Sequence, residues 1–125
     1  MEDMRLVSGV DIVAVARIEK ILAGKRDIFL KKIFTRKEIR YIEGKNYSGE
    51  TISGLFAGKE AISKALGTGI GSIGWQDMEI LHDELGRPQV RISDEILSRH
   101  RMNSLEISIS HERDYAIAFV VGLKY

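Results

Sequence analysis

The sequence predicts an α+β domain in which helices pack against a mainly antiparallel sheet. Three observations carry that prediction. Leu105, Ile107 and Ile109 alternate with Glu106, Ser108 and Ser110, the period of a half-buried strand, and a second run from Tyr115 to Val121 follows across a tight turn. Residues 78–81 and 89–92 form another apolar pair around DELGRP, where Gly86 supplies a permissive backbone. Residues 51–66 hold apolar side chains at helical spacing.

Each element has a local cause. Leu6 to Val13 reads as a short strand interrupted by Gly9. Val15, Ile18 and Leu22 space a helix over 14–23, with Gly24 as its expected stop, and a short helix is expected at 27–32. Thr35 stands three residues before Glu38, the capping-box spacing, and opens a helix that should end near Gly44. A loop is expected at 45–50. The helix at 51–66 then shows three faces: an apolar stripe (Ile52, Leu55, Ile62, Leu66), a small-residue strip (Gly54, Gly58, Ala61, Ala65), and a polar face of Ser53, Glu60 and Lys64, with Phe56 and Ser63 at its edge. Ser93 should cap a short helix at 94–100. His111 ends the alternating strand.

Composition narrows the function. With 125 residues, 44% of them hydrophobic and 30% charged, the chain fits one soluble domain spanning 1–125. The absence of cysteine excludes disulfides, thiolate metal sites and cysteine nucleophiles. No apolar run reaches the ~20 residues of a membrane span. Glu2 and Asp3 make the N-terminus unlike a signal peptide, so a cytoplasmic location is expected. The net charge of +1 conceals an asymmetry, since residues 17–45 hold ten Lys/Arg against four acids. A field of that kind attracts an acidic partner or a polyphosphate.

Asp11 lies where strand meets helix among Val10, Ile12 and Val13, so it must be exposed, paired or bound to a cation. Taken alone, the residue is better accounted for by an ordinary cap or ion pair. Glu60 and Lys64 are spaced as a helical salt bridge, yet their helix is flanked by packing residues on both sides. Lys59 falls inside the apolar stripe, where its stem would snorkel or its head reach a phosphate or a subunit boundary. Two carboxylates and a lysine, with no cysteine, suit magnesium and a phosphate group. The GTGIG run at 67–71 follows its helix, whereas a phosphate loop precedes one, so it reads as a helix stop and pocket wall. His111 could donate to phosphate, act as a base, or be a turn histidine.

The stretches SGVDIVAVARIEK (8–20), IFTRKEI (33–39), LFAGKEAISKALGTGIG (55–71) and SISHERDYAIAFVV (108–121) together resemble the small bacterial holo-[acyl-carrier-protein] synthases of the phosphopantetheinyl transferase family. The resemblance implies transfer of 4′-phosphopantetheine from coenzyme A to a serine of apo-acyl carrier protein in fatty acid biosynthesis, leaving adenosine 3′,5′-bisphosphate. It implies that Asp11 and Glu60 bind magnesium and that Asp11, Glu60 and Lys64 form the catalytic set, with Glu60 or a water taking the serine's proton. Lys64, His111, Lys59, Ser63 and the Gly67–Thr68–Gly69 turn would contact coenzyme A. Arg17, Lys20 and Ile21 would face the acidic carrier protein, and the chain would assemble as a homotrimer. Ser8, Leu55 and Gly58 depart from the family pattern, and none is a proposed metal ligand. The competing expectation, a nucleic-acid-binding domain built on the basic segment, has few aromatics to stack bases: Phe29, Phe34 and Tyr41, of which the first two read as core.

Overall fold

The computed structural model describes residues 4–125; Glu2 and Asp3 lie outside it. Strand β1 (Arg5–Ala14) leads directly into helix α1 (Val15–Ile33), followed by α2 (Arg36–Gly44) and α3 (Gly49–Leu66). After a 3₁₀ turn at Trp75–Asp77 come β2 (Glu79–His82), β3 (Pro88–Arg91), α4 (Asp94–Arg99), β4 (Met102–His111) and β5 (Tyr115–Lys124). Three strands form one antiparallel sheet in the order β1-β5-β4, and β2 and β3 form a separate hairpin. This is the α+β architecture the sequence predicts.

Period-two alternation gives the sheet two unlike faces. Val13, Ala116, Ala118 and Val120 point inward and are buried, while Val10, Ile12, Ile117 and Phe119 point outward and stay exposed. Helix α3 lies across the inner face and is buried over most of its length. The small-residue strip makes that approach possible. A methyl at Gly54 would meet Ile109 Cγ2 at 2.9 Å, and one at Gly58 would meet Ile80 Cδ1 at 2.5 Å.

Several boundaries differ from expectation. The two helices expected on either side of Gly24 both form but with almost no linker: helical geometry breaks at Lys25, whose φ is −132° and ψ 52°, so they meet at a kink within Val15–Ile33. The start of α1 is fixed from outside, Val15 N donating to the Asp114 carbonyl in the β4–β5 turn. The expected loop at 45–50 is shorter, because Ser48 caps α3 and Gly49 and Glu50 are already helical. Ser53 lies on the same side of α3 as Glu60 and Lys64 but, nearer the helix start, is fully buried, and its hydroxyl has no partner among the described residues. The Thr35–Glu38 capping box forms as expected, as do the Ser93 cap and the left-handed Gly67 that ends α3.

Candidate active site

The site begins with a glycine. Gly9 lies on the inner face of β1, where an added Cβ would sit 2.1 Å from the Ala61 carbonyl oxygen and 2.7 Å from Ala65 N. Strand and helix therefore touch backbone to backbone, as only glycine permits. Two residues further along the same face comes Asp11. One residue before and three after Ala61 on α3 come Glu60 and Lys64. The close approach at Gly9 brings Asp11 to Lys64, 53 positions later, and to Glu60 on the same helix.

Their geometry is specific. Lys64 Nζ lies 3.2 Å from Asp11 Oδ1 and donates to the Val10 carbonyl at 2.9 Å. Lysine thus reaches across to the strand rather than only back along its own helix. Burial, then the neighbouring Asp11 charge, pushes the Glu60 carboxyl above the ordinary range, with Lys64 and Arg17 acting the other way. A carboxyl whose ionisation is opposed by burial and by a neighbouring carboxylate, beside a half-exposed lysine, forms a donor set that a cation would relieve. Magnesium commonly takes one or two protein carboxylates and completes its shell with water and phosphate oxygens, so these residues fit it. Among the described residues no cluster of three or more His, Asp or Glu offers an all-protein cage.

His111 belongs to a different place. Its Nδ1 lies 2.9 Å from Glu50 Oε1 in the first turn of α3, beside an open cleft lined by Tyr41, Thr51, Leu55, His82 and Pro88. Asp11 and Ile109 both pair with Ala118, on opposite sides of β5, so His111 stands two strand spacings (~10 Å) away from the Asp11 strand. Within one chain the structure brings Asp11, Glu60 and Lys64 together and leaves His111 apart. The cleft also holds a feature that sequence reasoning missed. Tyr41 and His82 stack with ring centroids 3.8 Å apart and nearly parallel, and His82 Nδ1 is buried without a partner. Burial, then the nearby Lys45 charge, lowers the His82 pKa, so the ring favours its neutral form. No spacing links residue 41 to 82; only the fold does.

Two residues expected at the coenzyme have their polar groups engaged within the protein. Lys59 is fully buried, with its ammonium 2.8 Å from Glu38 Oε1 and further bonded to the Trp75 and Met78 carbonyls. No proton of that ammonium is left for a phosphate, and nothing snorkels. Ser63 is also buried, and its hydroxyl donates to the Glu60 carbonyl at 2.7 Å, inside its own helix. Gly67, Thr68 and Gly69 form the C-terminal cap of α3, their amides donating to the Lys64 and Ser63 carbonyls. Arg17 and Lys20 are exposed on α1 and Ile21 is half-buried beside them. Arg17 lies over the Phe56 ring and within electrostatic reach of Glu60, so the basic face adjoins the carboxylate pair. Phe34 is buried and Phe29 packs on the core, which removes two of the three aromatics a nucleic-acid surface would need.

The sequence model of the 4′-phosphopantetheinyl transferase superfamily matches residues 8–120, and that defines the class. The chain is 40% identical over 123 residues to the holo-[acyl-carrier-protein] synthase of Caldanaerobacter subterraneus, covering 96% of each, and 44% identical to that of Fusobacterium nucleatum, covering 92% of this chain and 96% of the relative. Its fold matches the Helicobacter pylori synthase solved in complex with coenzyme A at a TM-score of 0.85, with 38% identity and coverage of 92% and 98%. The Bacillus anthracis synthase, solved in complex with CoA (3′,5′-ADP), matches at a TM-score of 0.81 with 35% identity and coverage of 98% and 99%. The chain belongs to the holo-[acyl-carrier-protein] synthase family.

Proposed function

We propose that residues 1–125 act as one catalytic domain that transfers 4′-phosphopantetheine from coenzyme A to the serine of an apo-acyl carrier protein, with Asp11 and Glu60 as the magnesium ligands. The convergence of Asp11, Glu60 and Lys64 at the β1–α3 contact carries this reading. Magnesium, when bound, supplies charge neutralisation and alignment of the pyrophosphate. Lys64, half-exposed and already beside Asp11, offsets the anionic charge that grows on the β-phosphoryl oxygens. The serine oxygen forms its bond to the β-phosphorus as the bond to adenosine 3′,5′-bisphosphate breaks, the leaving group keeping the electron pair. The serine's proton passes to Glu60 or to solvent beside it. The chain's contribution is mainly placement and electrostatics.

Arg17, Lys20 and the basic surface of α1 and α2 fit an acidic carrier protein. Glu38 is buried against Lys59, so the solvent-facing charge of residues 17–45 is more positive than the sequence count. The uncovered apolar face of the sheet, including Val10, Ile12, Tyr115 and Phe119, supports assembly with further copies, a trimer by family resemblance. In such an assembly the His111 cleft of one copy and the carboxylate pair of another could face one coenzyme. Among the described residues no helix is long and apolar enough to cross a membrane. A cytoplasmic location accords with the substrates. Incubation with apo-carrier, coenzyme A and magnesium should add phosphopantetheine to the carrier, read by mass. Absence of the gain, or an undiminished gain with Asp11→Ala or Glu60→Ala, refutes the reading.

A further inference from the structure

The buried ion pair of Lys59 and Glu38 has no part in the chemistry above. Both side chains are wholly inaccessible. Lys59 Nζ meets three acceptors for its three protons: Glu38 Oε1 at 2.8 Å, the Trp75 carbonyl at 2.9 Å and the Met78 carbonyl. Glu38 in turn accepts from Thr35 N at 2.9 Å and, through its other oxygen, from Ile80 N at 2.7 Å. The network ties α3 to the start of α2 and to residues 75–80.

Stability is a poor account of it, because apolar residues of similar volume often replace a buried ion pair at no loss. A saturated network supplies direction instead, which a methionine or leucine in the same space would not. Successive residues on a helix point about 100° apart, so fixing the bearing of Lys59 fixes that of Glu60. On the far side of Glu60, Ala61 is pressed against Gly9 of β1. Helix α3 is therefore gripped immediately before and immediately after Glu60. The same ammonium holds Trp75 and Met78, where the chain returns after the segment that follows Lys64.

We infer that Lys59 is a positioning residue: its pairing with Glu38 sets the rotation of α3 that aims Glu60 at Asp11. The inference rests on the magnesium site proposed above. Two variants separate aim from folding. Lys59→Met with Glu38→Gln removes both charges at nearly constant volume. Glu38→Asp keeps both charges and withdraws the carboxylate by one methylene. Each is followed by circular dichroism, by calorimetric titration of magnesium into protein with coenzyme A and no carrier, and by the mass assay. The expected result is a folded protein whose magnesium affinity and kcat fall roughly 10–100-fold, the range for groups that orient a metal ligand. The KM for carrier protein, set on α1, should stay unchanged.

A merely structural pair would lower the folded fraction and leave magnesium affinity intact in what remains folded. Wild-type affinity and kcat in either folded variant overturn the inference, as does loss of cooperative folding in both. Asp11→Ala and Glu60→Ala are measured alongside. If those retain full transfer, the magnesium site itself is wrong; if they lose it while the Lys59 variants behave as wild type, only the positioning role fails.

Discussion

Gly9→Ala adds one methyl group, and the structure says what that methyl meets. It would lie 2.1 Å from the Ala61 carbonyl oxygen, 2.7 Å from Ala65 N and 3.0 Å from Lys64 Cβ. The nearest two are backbone atoms and cannot rotate aside. Weak carbon–oxygen contacts settle near ~3.3–3.6 Å, so strand and helix must part by about 1 Å. Overpacking of this kind costs roughly 1–3 kcal/mol, and the upper end applies where backbone meets backbone. Loss of glycine's unfolded-state freedom returns about 0.4–1 kcal/mol. The net is about 2 kcal/mol, or a fall in Tm of about 6–12 °C for a chain of this size, measured at fixed protein concentration. Because the same contact sets Asp11 against Glu60, a shift near ~1 Å should also lower transfer about 100-fold. Thermal unfolding and the mass assay read the two effects separately. Gly24→Ala is the control, since nothing lies within 4 Å of its added methyl, and it should not lower Tm. If Gly9→Ala keeps the wild-type Tm and rate, the argument that this contact builds the site is wrong.

Glu60→Gln should abolish transfer yet raise Tm at neutral pH. The folded carboxyl titrates above its unfolded value, so ionised Glu60 opposes folding at high pH, and this penalty is relieved as pH falls through the folded pKa. The Tm gap between variant and wild type should therefore shrink toward acid, and a gap that widens there contradicts the sign. Phe119→Glu places a charge in the exposed apolar face of the sheet and should yield a smaller species by sedimentation, with reduced transfer; unchanged sedimentation would exclude that face as the interface. Lys20→Glu should raise the KM for an acidic carrier protein several-fold at low salt, with little change in kcat, and the difference should fade as salt rises. A KM indifferent to both the substitution and salt would move the docking surface elsewhere.

Elements whose cause is local were legible in the sequence. The capping box at Thr35, the Ser93 cap, the left-handed Gly67 and the alternation of β4 all depend on residues within a few positions of one another. Tertiary contact is what a local reading misses. Gly24 reads as a stop, and helical geometry does break one residue later at Lys25, but the chain resumes as helix at once where a longer linker is expected. Lys59 is the sharper case. Its place in an apolar stripe is readable from spacing, but its partner Glu38 reads only as part of a cap on another helix. A single carboxylate serving two helices and a strand leaves no pairwise signature.

The chemistry was legible in kind and not in place. Asp11, Glu60 and Lys64 are the residue types a magnesium–phosphate site needs, and the fold unites them through one glycine whose role no spacing rule reports. His111 shows the opposite limit. It shares the inner face of the sheet with Asp11, yet two strand spacings separate them, and its partner Glu50 lies ten residues before Glu60, ~15 Å along α3. A single chain thus keeps the carboxylates and lysine apart from the histidine cleft. Among the described residues, the outer face of its sheet exposes the apolar side chains Val10, Ile12, Ile117 and Phe119. In the assembly proposed above, a second copy seated on that face would bury the exposed side chains and bring its own histidine cleft toward the carboxylates of the first. The Phe119→Glu variant tests both at once: if it dissociates the protein but leaves transfer intact, the carboxylates and the histidine cleft do not depend on each other.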